Sequence, residues 1–407
     1  MTAAQNTNDV VELPEFPGSR DPRCPFDPPP QQAQWQEGEG LGRAVWSGSP
    51  LWVVTRHEDI REVLADQRFS ADFLRPDFPG WTPASAHQPP TFPRMDDPEH
   101  ARLRRMLTKD FTVKQVELKR PQIQQIVDAH LEQMIDKGAP ADLVHDFALP
   151  IPSLVISLML GVPYEAHPFF QQHSHTVNDT TATPEEKGAA QAALFGFLLD
   201  LVGRKEKEPG DDIISRLLAE HVATGELTRE AVAMTGMILL IAGHETTANM
   251  LGLGTLALLE NPDQAARLRD TDDPKLVANA VEELMRYLTI IQDALVRVAK
   301  EDVTVGGQLV RAGEGVIMSL PAGNRDTSVF TDPDTFDIDR ANARTHVGFG
   351  FGIHQCLGQA LARAEMQIAL TSLLRRLPTL RLAVPIEEIE SRHGSATYGV
   401  HKLPVTW

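Results

Sequence analysis

GFGFGIHQCLG, residues 348–358, places one of the chain's two cysteines behind three glycines and a histidine. Glycines at this density favour tight turns and let the backbone approach something flat or bulky. An amphipathic run from residue 359 to about residue 377 follows, so Cys356 precedes a predicted helix, whose positive N-terminal end favours a thiolate. Cys356 is therefore a buried structural residue, a nucleophile or a metal ligand.

Three kinds of reactive site can be compared for Cys356. A catalytic cysteine needs a base aimed at its sulfur, and His354 stands only two residues away in a turn, a spacing that does not favour this role. A zinc site needs further Cys or His ligands at short spacing, and one thiol with one imidazole is too few. A haem needs one axial thiolate, and glycines allow the porphyrin to lie against the loop. We therefore expect a haem site.

A haem brings two propionate carboxylates, which require cationic partners. His100 and Arg104 stand four residues apart in a predicted helix and so share one of its faces. Arg297 and His354 are two further candidates. A haem that activates oxygen also needs a helix on the opposite side, and AGHETT, residues 242–247, suits this position.

In AGHETT, Ala242 and Gly243 are small enough to admit a macrocycle, and Ala242 shares a helix face with Thr246. Glu245 and Thr246 place an acid and a hydroxyl in the middle of the most apolar helix of the chain. The helix backbone alone could satisfy such a polar pair. Because a buried carboxylate is costly without a partner or a role, we expect this pair to be functional.

Composition limits the class of protein. The formal net charge of −18 argues against non-specific binding to nucleic acid or to an anionic membrane. Only two cysteines, no signal-like start and no apolar run of roughly 18 residues predict a cytoplasmic protein without a membrane span. No composition break divides the middle of the chain, so we expect one domain over residues 1–407, with residues 1–30 as an extended arm.

Helical periodicity dominates the sequence. Apolar residues at three- and four-residue spacing predict helices over 57–67, 98–111, 114–136, 228–260 and 274–288. Pro121 is expected to kink or split the third of these helices. The middle of 228–260 is apolar nearly all round, so this helix is expected to run through the core.

Strands are expected in two places and long loops in two others. Residues 42–56 predict a hairpin, and residues 301–320 predict short strands that turn at Gly306-Gly307 and at Gly313. The polar segments 70–95 and 171–190 are predicted to be long loops. We expect the walls of a substrate pocket to come from these two loops, Ile290-Ile291, residues 294–296 and Thr397-Tyr398.

These motifs together resemble the cytochrome P-450 family of haem-thiolate monooxygenases. FGFGIHQCLG matches the family's cysteine loop F-G-x-G-x-H-x-C-x-G, and AGHETT matches its oxygen-activating motif A-G-x-[DE]-T-T. The remaining matches are HARLR, with the propionate pair His100 and Arg104; EELMR, with the pair Glu283 and Arg286; and FDIDR, with Arg340 as the third member of that ion-pair triad. The likeness extends from about residue 15 to the C-terminus, and a glutamate replaces the more usual aspartate at 245.

The resemblance implies a mainly α fold with small β-sheets, the triangular prism of the family. It implies haem b (iron protoporphyrin IX) with Cys356 as the iron ligand, Phe349 packed beside the loop, and backbone amides near the sulfur. The cofactor-binding residues it implies are His100, Arg104, Ala242, Gly243, Arg297, Phe349, His354, Cys356 and Gly358. Glu245 and Thr246 would organise water and deliver protons, and Glu283, Arg286 and Arg340 would form a structural ion-pair cluster.

The implied function is a monooxygenase that hydroxylates a medium-to-large hydrophobic molecule, a secondary metabolite or a foreign compound. Two electrons would come from a ferredoxin and its reductase, because the sequence carries no flavin or nicotinamide fingerprint, and a monomer is expected. Arg105, Lys109 and Arg363 are candidates for a local basic patch that an acidic ferredoxin would contact. The alternatives are a peroxide-driven peroxygenase, which typically lacks the acid–alcohol pair, and a non-catalytic haem sensor or carrier.

Overall fold

The computed structural model of the protein describes residues 13–21, 24–38, 40–83, 89–178, 182–293, 295–392 and 395–407. Ala294, a predicted pocket residue, lies outside the described residues. So do residues 84–88 and 179–181 of the two predicted loops and the first part of the predicted arm.

Helices account for most of the described residues, and short 3-10 or π-helical turns join several of them. The α-helices are α1 (Pro30–Glu37), α2 (His57–Ala65), α3 (Glu99–Thr108), α4 (Val113–Lys137), α5 (Pro150–Leu160), α6 (His167–Asn178), α7 (Pro184–Lys205), α8 (Ile213–Leu217), α9 (Arg229–Leu259), α10 (Pro262–Asp270), α11 (Pro274–Leu288), α12 (Leu320–Gly323) and α13 (Gln359–Arg376).

The strands are short and form three sheets. They are β1 (Gly42–Trp46), β2 (Ser49–Val54), β3 (Phe69–Ser70), β4 (Ala141–Asp142), β5 (Val296–Ala299), β6 (Val303–Val305), β7 (Gln308–Val310), β8 (Gly315–Met318), β9 (Arg381–Leu382) and β10 (Pro404–Thr406). The largest sheet has the order β1-β2-β8-β5-β3, in which β2 and β8 pair in parallel and the other described strand pairs are antiparallel. The others are β4-β10-β9 and the hairpin β6-β7. The predicted mainly α fold with small sheets is confirmed.

The predicted hairpins form where the sequence supplies residues for left-handed turns. β1 and β2 are joined by Ser47 and Gly48, which have φ of 49° and 75°. Positive φ at both central positions matches the twist of the flanking strands in a two-residue hairpin. β6 and β7 are likewise joined at Gly306 and Gly307, with φ of 54° and 80°.

Helix α9 runs through the core, as its sequence predicts. Thr228 caps its N-terminus by accepting a hydrogen bond from the amide of Ala231, and the helix packs against α5, α7, α11 and α13. Its length and apolar composition alone would allow it to cross a membrane. Much of its second half is nevertheless enclosed by these helices, as in the central helix of a globular protein.

The structure corrects two sequence predictions about helices. Pro121 does not split the third predicted helix: α4 spans 25 residues that include Pro121, and it packs against α13 and α5. Residues 171–190 are mostly helical, forming the end of α6 and the start of α7. α7 begins with a capping box formed by Thr183 and Glu186, and Pro184 stands at the first helical position. These residues indicate a helix start in the sequence.

The segment before α1 contains no helix among its described residues, but it packs against the body of the protein. Phe16 and Phe26 are buried, and the Phe16 ring stacks on Trp35 with 6.3 Å between centroids. Arg20, between them, is also buried. This part of the predicted arm therefore belongs to the core rather than to solvent.

Candidate active site

A cavity of about 310 Å³ lies between α9 and the loop that carries Cys356. Ala242, Gly243, Thr246 and Thr247 of α9 line it on one side, and Phe349, Cys356 and Gly358 line it on the other. The structure therefore places the two sequence motifs on opposite walls of one cavity, although more than 100 residues separate them in the chain.

The cysteine loop is held in shape by left-handed glycines and one backbone hydrogen bond. Gly350 and Gly352 have φ of 70° and 72°. A Cβ on Gly352 would lie 2.3 Å from the carbonyl oxygen of Leu64, so only glycine fits there. The Cys356 amide donates to the carbonyl of Phe349 at 2.9 Å, which closes the loop. The cysteine is thereby presented to the cavity just before α13 begins.

Protein atoms surround the Cys356 thiol, although the residue is exposed toward the cavity that it lines. Burial raises the pKa of Cys356, while the Gly358 amide and the charges of Arg104 and Arg363 oppose this rise. The thiolate that the position before a helix N-terminus predicts is therefore not favoured without a bound metal. A bound metal cation deprotonates a coordinating thiol outright, so this environment suits a metal ligand better than a free nucleophile.

Three of the four predicted propionate partners, His100, Arg104 and His354, line one edge of the cavity, and Arg297 lies beside His354 in an adjoining smaller pocket. The rings of His100 and His354 lie 4.0 Å apart, centroid to centroid. Burial and the nearby Arg297 lower the pKa of His354 to about 3, and burial lowers that of Arg297 to about 10. Burial, which disfavours the charged form, is the largest cause of both shifts, and the charges of Asp97 and Asp96 oppose them at His354 and Arg297 respectively.

Two histidine ring nitrogens in this cluster lack a partner among the described residues. His100 Nε2 and His354 Nδ1 are buried and have no hydrogen-bond partner within the described part of the chain. Arg297 is 5% exposed, and within the described residues its Nη1 donates to the carbonyl of Val296, its own neighbour, at 2.8 Å. Asp97 Oδ1 lies 3.1 Å from His100 Nδ1 but bonds to neither of these two unpartnered nitrogens. Buried polar groups normally have partners, so this cluster can take up a further anion. Two carboxylates at this edge would satisfy it, and the residues present therefore fit a haem.

The α9 wall combines small residues with one hydroxyl. Thr246 Oγ1 donates to the carbonyl of Ala242 at 2.7 Å, which fixes its hydrogen and leaves its lone pairs able to accept. Ala242 opens to the cavity, as predicted for a residue that admits a flat group. Gly243 also lines the cavity, but an added Cβ there would meet Ile156 of α5 at 3.1 Å. Its small size therefore serves the packing of α9 against α5.

Glu245 has a partner that the sequence did not reveal. Its Oε1 lies 2.6 Å from Nη1 of Arg392, and the two side chains are 8% and 12% exposed. Glu245 does not line the cavity, whereas its neighbour Thr246 does. The ion pair with Arg392 thus offsets the cost of burying this carboxylate. Any proton that Glu245 supplies must therefore come from a carboxyl group that is paired with an arginine.

The rest of the cavity wall is apolar apart from the buried Glu365 of α13. Ile290 and Ile291 line it as predicted, and Phe92 and Pro93 contribute from the predicted loop 70–95. Thr397 and Tyr398 do not line it, but they support the wall. Thr397 pairs with Ile291 in a β-bridge, and the Tyr398 amide donates to the carbonyl of Ile290 at 2.7 Å. No described residue of 171–190 lines the cavity.

Glu283, Arg286 and Arg340 form one buried cluster away from the cavity. Glu283 accepts from Arg286 Nε and Nη2, both at 2.8 Å, and from Arg340 Nε at 3.1 Å. The side chains of Glu283 and Arg286 have no exposed surface. Arg286 also donates to the carbonyls of Asn324 and Pro333. The cluster therefore ties α11 to the irregular segment 324–340.

A second ion cluster, around Glu282, supports the cysteine loop and was not foreseen. Glu282 accepts from Arg363 Nε at 2.6 Å and from His346 Nε2 at 3.0 Å. His346 Nδ1 accepts from the Gly348 amide at 2.9 Å, which assigns the proton to Nε2. The Arg363 guanidinium lies 4.5 Å from the centroid of the Phe349 ring. Glu282 thus supports residues 346–349 both through its hydrogen bond with His346 and through Arg363, which packs on Phe349.

Two of the three cations predicted to form a basic docking patch are already paired. Arg363 is bound to Glu282, and Lys109 Nζ lies 2.5 Å from Oε1 of Glu220. Arg105 is exposed. Local carboxylates therefore reduce the positive charge that this patch offers to a partner.

Comparisons with known proteins agree with this geometry. The sequence profile of the family Cytochrome P450 matches residues 169–392. Cytochrome P450-SU2 from Streptomyces griseolus is 54% identical over all of this chain and all of its own length. The crystal structure of GfsF, 49% identical, superposes with a TM-score of 0.92 over 97% of this chain and 100% of that chain.

A third relative has a ligand in its structure. The mycinamicin VIII C21 methyl hydroxylase MycCI from Micromonospora griseorubida, bound to mycinamicin VIII, is 39% identical. Its structure matches with a TM-score of 0.90 over 97% of this chain and 100% of that chain.

Proposed function

Because the chain belongs to the cytochrome P450 family and is a haem-thiolate monooxygenase, we propose that it hydroxylates a medium-to-large hydrophobic molecule with electrons from a ferredoxin. The observation that carries this proposal is the cavity with Cys356 on one wall, Thr246 on the other and an apolar surface between. Such a cavity favours an apolar ligand oriented by few polar groups.

We assign haem b as the cofactor, held by Cys356 through its sulfur and by His100, Arg104, Arg297 and His354 through its propionates. Bound there, the haem supplies an iron centre at which dioxygen is reduced and split. The Gly358 amide stabilises negative charge on the sulfur, and Phe349 packs beside the loop. These contacts orient the Cys356 sulfur and limit the approach of water to it.

Proton supply is assigned to the Glu245–Thr246 pair. The Thr246 hydroxyl donates to its own helix, so in the reaction it acts as an acceptor that holds a water or a protonated group in place. Glu245 lies behind it, paired to Arg392. Loosening of that pair would free the carboxyl to turn toward the cavity and to exchange protons with solvent.

The substrate would contact Ile290, Ile291, Phe92 and the exposed face of α9. The described wall residues beyond the cysteine loop and the cationic cluster are largely apolar, and Thr246 and Thr247 are the hydroxyl-bearing residues among them. Burial of apolar surface therefore provides most of the binding free energy, and shape determines which carbon lies near the reactive centre. MycCI, a hydroxylase of a secondary metabolite, supports this class of substrate.

The remaining assignments complete the proposal. We propose a single domain over residues 1–407 and a monomeric, cytoplasmic enzyme that binds neither nucleic acid nor membrane. The net charge of −18 supports the last point. An acidic ferredoxin would have to dock where cations such as Arg105 are exposed.

The decisive experiment is the carbon monoxide difference spectrum of the reduced protein. We expect the red-shifted Soret band of thiolate ligation in the parent and in Cys24→Ser, which serves as the matched control. A parent spectrum typical of histidine ligation would contradict the assignment of Cys356. Turnover with a ferredoxin, its reductase and dioxygen then separates a monooxygenase from a sensor, and product formed with peroxide alone would favour a peroxygenase.

A further inference from the structure

Arg20, in the irregular segment before α1, is a buried cation with few partners. It is 6% exposed, and its Nη1 donates to the backbone carbonyl of Asp27 at 2.6 Å. Its Nη2 has no hydrogen-bond partner among the residues that the structure describes. Burial lowers its pKa to about 10, so it remains charged at neutral pH. None of its described hydrogen bonds is to a carboxylate, and burial of such a charge is unfavourable unless its other contacts serve a purpose.

The contacts of Arg20 lead to the wall of the substrate cavity. Its Nε donates to Oε1 of Gln292 at 3.0 Å, and its guanidinium lies 3.8 Å from the centroid of the Tyr398 ring. Gln292 directly follows the two wall residues Ile290 and Ile291. The Tyr398 amide donates to the carbonyl of Ile290. Arg20 thus touches both segment 290–292, which contains wall residues, and segment 395–398, which supports that wall from behind.

Gln292 joins those two segments to each other. Its amide donates to the carbonyl of Ala396 at 3.1 Å, and its side-chain Nε2 donates to the carbonyl of Ser395 at 3.1 Å. With Nε2 occupied in this way, Oε1 faces Arg20 as an acceptor. Replacing Arg20 by a neutral chain would leave a buried amide oxygen unpaired and would remove the planar group from the Tyr398 ring.

We propose that Arg20 is a positioning residue that holds segments 290–292 and 395–398 together and so sets the shape of the substrate cavity. This inference rests on the proposed function, because it concerns a wall of the same site. Arg20 is not among the residues that line the cavity. Its loss should therefore change the binding of large molecules that press on Ile290 and Ile291, and should spare small molecules that contact the haem alone.

The test compares two azoles that bind haem iron through a ring nitrogen: imidazole, which is small, and a triphenylmethyl imidazole, which fills the cavity. Dissociation constants come from Soret shifts of the haem-loaded protein. For Arg20→Met we expect the ratio of the bulky azole's constant to that of imidazole to rise roughly ten-fold. For Arg43→Met we expect no change. Arg43 also stacks on an aromatic ring, that of Trp52 at 4.3 Å, but neither residue lines the cavity.

An unchanged ratio in Arg20→Met overturns the inference, as does an equal rise in Arg43→Met. Should Arg20→Met fail to retain haem, Arg20→Lys decides the matter: it keeps the charge, loses the planar fork, and is expected to shift the ratio in the same direction. Failure of the proposed function looks different, because imidazole would then produce no haem-thiolate Soret shift in the parent protein.

Discussion

Glu282→Gln removes the charge around which the cysteine loop is supported. Burial raises the pKa of Glu282, but hydrogen bonds from His346 and Arg363 outweigh it and bring the pKa from 4.5 to about 2. The difference between these values corresponds to about 3 kcal/mol of folding free energy at neutral pH. Because the folded pKa is depressed, this stabilisation is present above about pH 4.5 and is lost as the pH falls toward 2.

The loss should be felt first at the cysteine loop. His346 fixes the Gly348 amide, and Arg363 covers Phe349, whose carbonyl accepts the Cys356 amide. In a urea titration of the haem-loaded Glu282→Gln protein, we therefore expect the thiolate-type carbon monoxide spectrum to disappear before the far-ultraviolet circular dichroism changes. In the parent protein we expect the two signals to be lost closer together.

Arg344→Gln is the matched control for this experiment. Arg344 also faces Glu282, at 3.7 Å, but its side chain is 78% exposed, so it should contribute little. Equal urea midpoints for the thiolate spectrum in Glu282→Gln and Arg344→Gln would refute the reasoning. So would a gap between Glu282→Gln and the parent that stays constant from pH 7 down to pH 3.

Three further outcomes are expected. Cys356→Ser should fold with near-parental circular dichroism but lose the thiolate-type carbon monoxide spectrum, and a retained spectrum would refute the ligand assignment. Thr246→Ala should bind azoles with unchanged affinity, because it loses only a bond to its own helix, yet form less product and more peroxide per reducing equivalent; unchanged coupling would remove its role in proton supply. Arg286→Ala breaks the fully buried ion pair with Glu283, which keeps its contact with Arg340, at a cost of about 3–5 kcal/mol; haem content and soluble yield should therefore fall, and normal values for both would contradict a structural role.

Residues within motifs were the part of the site that the sequence could predict. The cysteine loop, AGHETT and the pair His100 and Arg104 each need residue types at fixed short spacing, and spacing is visible in one dimension. Arg297 and His354 could be named because a haem requires cations, although their meeting point depends on the fold. The central position of α9 followed from its apolar circumference.

Partners brought together by tertiary folding could not be predicted. Arg392 reaches Glu245 from a segment near the C-terminus, and its surroundings in the sequence contain no motif. Arg363 looked like a surface cation because nothing nearby in the chain announces Glu282, which is 81 residues away. The prediction of a loop over 171–190 was wrong for another reason. We gave more weight to the polar composition of this segment than to the capping box at Thr183, which indicates a helix start.

Helix α11 carries two adjacent carboxylates that serve different parts of the molecule. Glu283 holds segment 324–340, whereas Glu282 holds the cysteine loop. Consecutive residues of an α-helix differ by about 100° in direction and 1.5 Å in height. Inserting or deleting one residue within the N-terminal half of α11 would turn each acid toward the other's partners or away from both. This short helix should consequently tolerate many substitutions on its exposed face but no change in length, and natural variants should keep its residue count.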